Sequence, residues 1–313
     1  MDQKKVNQIL RIAKMHFELK MSQVDIAAAE NLSKSTVSRI LKNAMELGFV
    51  EVRVIEPLHS FSDLEAELIS RYPLRKAVIV PDIVKNDEIL LQDVCTALAE
   101  DLPRYIENDS IVGVAWGRTL SALLPQLRPI KRSGVSVIQL NGGFSRVLYE
   151  SGAMEIIKGF VRCFGSTGHL LPAPAVVDNK DIAAAIRTDS QIDKIFKMAK
   201  DCQIAIYSVG NISRKSQLFE MGCFSDEEYH AIEKRGATGD VCSHFIDAKG
   251  HLADPELDQR VLATPLADIQ AIPNKLLIAV GQEKAAAIRA CLLGGLVDVL
   301  YIDEPTVRTL LSL

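Results

Sequence analysis

Between Ser33 and Arg39 the chain reads SKSTVSR, which on a helix capped by Ser33 presents three further hydroxyls, a lysine and an arginine on an outward face. Short hydroxyl side chains fit the floor of a DNA major groove, a lysine suits phosphate, and an arginine can pair bidentately with guanine. Ser33, Lys34, Ser35, Thr36, Ser38 and Arg39, with Gln23 from the preceding segment, are the candidate DNA-binding residues. An ordinary amphipathic helix hairpin with a polar outer face is the plainer alternative.

A second group of residues has the chemistry to hold an anionic ligand. Trp116-Gly117-Arg118-Thr119 follows an apolar run and opens a helical pattern, so its backbone amides, Arg118 and Thr119 could donate to a phosphate. Asn141-Gly142-Gly143 follows another apolar run, as does Gly210-Asn211, and glycine lets backbone approach a ligand closely. Asp240 stands in an apolar setting and needs partners, either sugar hydroxyls or backbone amides. Lys284, in VGQEKAAAIRA, falls in the first turn of an expected helix. The macrodipole there disfavours a cation by a few tenths to about 1 kcal/mol. A phosphate sharing the site would explain the lysine; a solvated surface lysine is the alternative.

These residues need elements to position them. Residues 3–19 form an amphipathic pattern with Val6, Ile9, Leu10, Ala13 and Phe17 on one face. Ser22 is placed to cap a short helix whose inward residues are Val24, Ile26 and Ala27, and Glu30-Asn31-Leu32 has the length of a tight turn. Ser33 caps the next helix, with Val37, Ile40, Leu41 and Met45 as its buried stripe and Gly48 as its C-terminal stop. Phe49–Ile55 alternates apolar and polar residues, as a strand forming a wing would, and a linker follows Pro57.

Beyond Pro73, apolar runs alternate with helical patterns. The expected strands are Ala77–Val80, Ile111–Ala115, Val135–Leu140, Ile204–Val209, Leu276–Val280 and Val297–Ile302, separated by helices that include Asp87–Ala99, Met154–Phe164, Asp226–Lys234 and Glu283–Leu293. Continuous apolar runs signal strands buried on both faces. The fold class is α/β: a winged helix-turn-helix module over 1–57, then a doubly wound, mostly parallel domain over 58–313.

The chain has 313 residues and a formal net charge of −4, which excludes a protein that coats nucleic acid over its whole surface. Residues 1–56 hold nine Lys or Arg against seven Asp or Glu, so the mildly basic end carries the helix-turn-helix pattern. Six scattered cysteines show no CxxC or CxxH spacing, so no metal site or disulfide framework is expected. No apolar segment is long enough to span a bilayer, and MDQKKVNQIL lacks the apolar run of a signal peptide. The expectation is a cytoplasmic protein with no membrane partner and no cofactor.

In order along the chain, SQVDIA…LSKSTVSRIL, VGVAWGRTL, QLNGG, LPAP at 171–174, GDVCSHFIDAKG and VGQEKAAAI together resemble the SorC family of bacterial sugar-responsive transcription regulators. The resemblance implies an effector domain similar to sugar-phosphate isomerases and deaminases, which binds a phosphorylated sugar. It implies that Gly117, Arg118, Thr119 and Lys284 hold the phosphate, with Asp240 near the sugar. It also implies a homodimer or homotetramer on double-stranded operator DNA, acting as a repressor relieved by ligand. In relatives responding to deoxyribose 5-phosphate the QLNGG segment carries a lysine; Asn141 has no amine to form an imine.

Two other readings stay open on the residues alone. One is a sugar-phosphate isomerase or deaminase fused to a DNA-binding module, needing an acid and a base from Asp240, His244 and Asp247. The other is a DNA-binding protein whose large domain only oligomerises. The regulator reading assigns no catalytic residue.

Overall fold

The computed structural model describes residues 2–50, 61–143 and 152–313. The chain divides into two compact units, Met1–His59 and Ser60–Leu313. The expected boundary after residue 57 and most of the expected wing strand Phe49–Ile55 lie outside the described residues.

In the first unit, α1 (Gln3–Phe17), α2 (Gln23–Glu30) and α3 (Lys34–Glu46) pack on one another. The Ser22 side chain accepts from Asp25 N–H and that of Ser33 from Thr36 N–H, so both hydroxyls cap orphan amides as their positions imply. Asn31, left-handed at φ 52°, ends α2 and starts the turn, one residue later than expected. Gly48, at φ 71°, closes α3: its N–H donates to Met45 O and that of Phe49 to Ala44 O, the two bonds of a Schellman motif. Arg11 makes paired bonds of 2.7 and 2.6 Å to Glu30, tying α1 to α2.

Ile9, Ile12, Ala13, Ile26, Ala27, Val37, Leu41 and Ala44 form the core of this unit. Two expected core residues face outward. Val24 is 58% exposed, because it lies two residues from Ile26 and positions i and i+2 never share a helix face. Met45 is 44% exposed, because Ala44 takes the inward place after Val37 and Leu41. Val6, Leu10 and Phe17 are only partly buried, and Ile12 is the central α1 residue that the sequence reading passed over.

In the second unit the strands are β1 (Lys76–Val80), β2 (Ile111–Val114), β3 (Ser136–Gln139), β4 (Thr167–His169), β5 (Ile204–Tyr207), β6 (Val209–Asn211), β7 (Ala237–Val241), β8 (His244–Asp247), β9 (Asn274–Ala279) and β10 (Val299–Asp303). Seven of them form one sheet in the order β1-β10-β9-β5-β2-β3-β4, every pair parallel. Both faces are covered. Ile204, Ile206, Leu276, Ile278, Val299 and Tyr301 enter one core, while Ala205, Tyr207, Leu277, Ala279, Leu300 and Ile302 enter the other. This alternation explains the continuous apolar runs.

The expected strand Ile204–Val209 is two strands: it leaves the main sheet after Tyr207, and Ser208 hands the chain to β6. β6, β7 and β8 form an antiparallel three-stranded sheet with no counterpart in the expected topology. Gly239 on β7 lets it press against the helix Ala285–Leu293, since a Cβ at 239 would stand 2.5 Å from that of Ala287. That helix is shorter than expected, because Gln282–Lys284 is a 3-10 turn and Lys284 occupies the N-cap.

The strand order reverses beside β2. The chain runs outward through β3 and β4, then returns to the other side of β2 with β5, β9 and β10. Open sheets of this kind leave a crevice at such a switch point, outside the carboxyl ends of the strands.

Candidate functional site

The segments after β2, β3, β5 and β9 meet the small sheet at that crevice, which is lined by Trp116, Gly117, Arg118, Thr119, Asn141, Ser208, Gly210, Gln217, Asp240, Cys242, Ser243 and Lys284, among others. Trp116 and Lys284, 168 positions apart in sequence, thus share one cavity.

After β2, Gly117 adopts φ 146° and N-caps the helix Arg118–Leu123. The Gln217 side-chain oxygen accepts from Arg118 N–H at 3.2 Å, and the Arg118 guanidinium donates to Lys215 O at 3.0 Å. Ser208 Oγ donates to Thr119 Oγ1 at 3.4 Å, joining the β5 and β2 loops. Trp116 Nε1 donates to Gly142 O at 2.7 Å, joining the β2 and β3 loops.

Gly210 and Asp240 are register partners on β6 and β7. Any side chain at 210 would overlap the Asp240 carboxylate. Burial raises the Asp240 pKa to about 6, opposed by the Ser243 N–H and by the charges of Lys284 and His244. Burial also holds the Lys284 ammonium below the usual lysine range; the Arg118 charge adds to this, while Glu283, Asp240 and Asp303 oppose it. Among the described residues Lys284 Nζ has no hydrogen-bond or ion-pair partner.

Asn141 is 3% exposed. Its Nδ2 donates to Ser243 Oγ at 3.0 Å, while its Oδ1 is buried with no partner. Ser243 and Cys242 form the two-residue turn between β7 and β8, both at positive φ (73° and 49°).

The structure thus gathers Gly117, Arg118, Thr119, Asn141, Gly210, Asp240 and Lys284 in one crevice. Gly142 and Gly143 are not among its lining residues. Their N–H groups donate to Leu262 O and Ala173 O, and a Cβ on Gly142 would run into the Pro174 carbonyl, so the double glycine serves the approach of the LPAP segment. Sequence reasoning missed Ser208, Gln217, Cys242 and Ser243. Only the last two fell in a stretch already singled out, GATGDVCSHFIDAKG.

Asp240, His244 and Asp247 do not converge. The buried His244 is held by Asp258 Oδ1 at 2.6 Å and Thr264 O at 2.9 Å, and Asp247 Oδ1 accepts from Lys249 and His251 N–H in its turn. Among the described residues no cluster of His, Cys, Asp and Glu could hold a metal ion.

In the first unit, Lys34, Ser35, Ser38 and Arg39 are exposed along α3, whereas Thr36 and Gln23 are half-buried. The Ser33 hydroxyl is spent as a cap and meets the Ser35 and Thr36 hydroxyls at 2.8 Å each. Among the described residues neither Lys34 nor Arg39 has an ion-pair or hydrogen-bond partner.

A family model for a sugar-binding domain matches residues 56–312. The deoxyribonucleoside regulator of Bacillus subtilis is 33% identical over 312 residues, covering 100% of this chain and 99% of that protein. The chain belongs to the SorC family of sugar-binding transcriptional regulators. The full-length sorbitol operon regulator SorC from Klebsiella pneumoniae superposes with a TM-score of 0.77 at 26% identity, over 99% of each chain. The erythritol catabolism regulatory protein EryD of Brucella abortus is 26% identical over 307 residues, covering 97% of this chain and 96% of its own. As a SorC-family member the protein is a DNA-binding regulator of carbohydrate metabolism controlled by a sugar-type effector, not an enzyme. No helix among the described residues is long and apolar enough to cross a membrane.

Proposed function

We propose that the protein represses a carbohydrate catabolic operon and is released from double-stranded operator DNA by a phosphorylated sugar bound in the switch-point crevice. The unpartnered Lys284 carries this reading. A half-buried ammonium beside Arg118, with no acceptor of its own, is costly to maintain and is satisfied by a phosphate. Gly117, Arg118 and Thr119 complete the phosphate's donors, and Asp240 and Asn141 meet the sugar hydroxyls. Gln23, Lys34, Ser35, Thr36, Ser38 and Arg39 contact DNA, while Ser33 orders the start of the helix that presents them. The DNA-binding part ends near residue 57, and the remainder binds effector and assembles as a homodimer or homotetramer, the symmetry that a two-fold operator demands.

Thermal denaturation with phosphosugars and their unphosphorylated counterparts tests the phosphate assignment. A ligand at about a hundredfold excess over Kd adds about 2.7 kcal/mol of stability. The phosphorylated effector is expected to raise the melting temperature clearly, its free sugar much less, and Lys284→Ala to lose the response while still binding operator without ligand. Equal shifts with both forms of the sugar would remove phosphate from the reading.

A further inference from the structure

The Asn141 side of the crevice holds a buried acceptor with no donor. Asn141 is almost wholly buried, one of its two Nδ2 N–H groups is given to Ser243 Oγ, and its Oδ1 has no hydrogen-bond partner. The turn that presents Ser243 is held in the left-handed region at both residues, φ 49° and 73°, without a glycine. Such turns ordinarily use Asn-Gly or Gly residues, so this one keeps an unfavourable backbone in order to hold Ser243 in place. The Asp240 carboxylate, a second acceptor, lines the same cavity. Two acceptors cannot satisfy a ligand carbonyl, which is itself only an acceptor; they call for hydroxyl groups.

We propose that the effector meets Asn141 and Asp240 through hydroxyl-bearing carbons, as an alditol phosphate does, and that the site discriminates against phosphosugars whose non-phosphorylated end is a free aldehyde or ketone. This selection rests on the phosphosugar reading above and adds to it the oxidation state of the two carbons at the non-phosphorylated end. The physical basis is asymmetric: a buried acceptor left unpaired costs much more than a paired one gains, so a ligand without a donor at that point loses more than one bond.

The test compares erythritol 4-phosphate with erythrose 4-phosphate, and ribitol 5-phosphate with ribulose 5-phosphate, by calorimetry on the full chain. In both carbonyl compounds the phosphate occupies the oxygen that would close a five-membered ring, so neither closes it; the ketone pair is decisive, because an open-chain aldehyde hydrates to a gem-diol in water. Inorganic phosphate is a third probe. The alditol is expected to bind about tenfold more tightly than its carbonyl partner. Asn141→Leu is expected to bring that ratio to about one and to raise the melting temperature of the ligand-free protein, since it removes a buried unpaired acceptor. Ser243→Ala, which frees that Nδ2 N–H to donate, is expected to shift the preference toward the carbonyl compound. Equal binding within each pair, a preference for the carbonyl member, or a lower melting temperature of ligand-free Asn141→Leu would each overturn the selection while leaving the phosphate reading in place. No response to any phosphorylated probe or to inorganic phosphate would overturn both.

Discussion

Gly210 and Asp240 stand directly opposite each other on β6 and β7, and the carboxylate occupies the space that a side chain at 210 would fill. The backbone at 210 lies outside the left-handed region, so the position itself accepts an alanine. Gly210→Ala is therefore expected to fold, to bind operator as before, and to lose about tenfold in effector affinity as Asp240 is displaced. Calorimetric titration with the effector checks this; unchanged affinity would take Asp240 away from the ligand.

Gly142 gives the opposite outcome. A methyl group there meets the Pro174 carbonyl and, at 2.7 Å, that of Ala173, both backbone atoms that cannot swing aside. Gly142→Ala is expected to cost about 1–3 kcal/mol of stability in the overpacking range. Chemical denaturation of the ligand-free protein measures it, and a variant as stable as the parent would show that the LPAP segment gives way.

Asp240 links stability to pH. Its folded-state pKa of about 6 lies above the usual aspartate value near 4, so between those two pH values the folded protein binds more protons than the unfolded chain. The contribution is favourable and complete below about pH 4, is lost as pH rises through about 6, and is level above that. Asp240→Asn cannot ionise and escapes this loss. Relative to the parent it is expected to gain stability between pH 4 and 7, by about 1–3 kcal/mol at the upper end. Denaturant midpoints of both proteins across that range, without ligand, decide the matter; a pH-independent difference would mean that the carboxyl titrates normally.

On the DNA side, Arg39 and Lys34 are both exposed on α3 and differ in what they should read. Arg39→Ala is expected to cost about 1–3 kcal/mol at the specific operator, the size of a bidentate base contact. Lys34→Ala is expected to weaken binding to every sequence and to flatten the salt dependence by about one counterion. Gel-shift titrations at several salt concentrations separate the two. Unchanged affinity in both, with helicity intact, would take α3 out of the groove.

Much of this was legible because burial leaves a mark on residue order. The runs at Ile111, Ile204 and Leu276 are apolar on both faces, and the hydroxyls of Ser22 and Ser33 stand where helices start. β4 was not legible: Thr-Gly-His is a short, polar edge strand with no periodicity to read. The β7–β8 hairpin was hidden because its turn is Cys242-Ser243, a pair that local preference argues against. The crevice side chains after the strands were found by applying the switch-point rule, which indicates where to look. Gly142 and Gly143 were misplaced because a glycine admits either a ligand or another stretch of backbone, and only the fold shows that here it is Pro174. Ser208 and Gln217 carry no pattern of their own; they matter through neighbours about ninety residues or more away.

The chain contains 1 tryptophan, and it is Trp116, whose indole lines the crevice and donates to Gly142 O across the β2 and β3 loops. Nearly all the long-wavelength intrinsic fluorescence of this protein therefore originates at one wall of the switch-point crevice. Filling the crevice, displacing the indole from its carbonyl, or excluding water from its ring changes the emission of the entire molecule. The regulator carries an optical reporter of whatever fills that crevice, readable on operator DNA and without a label.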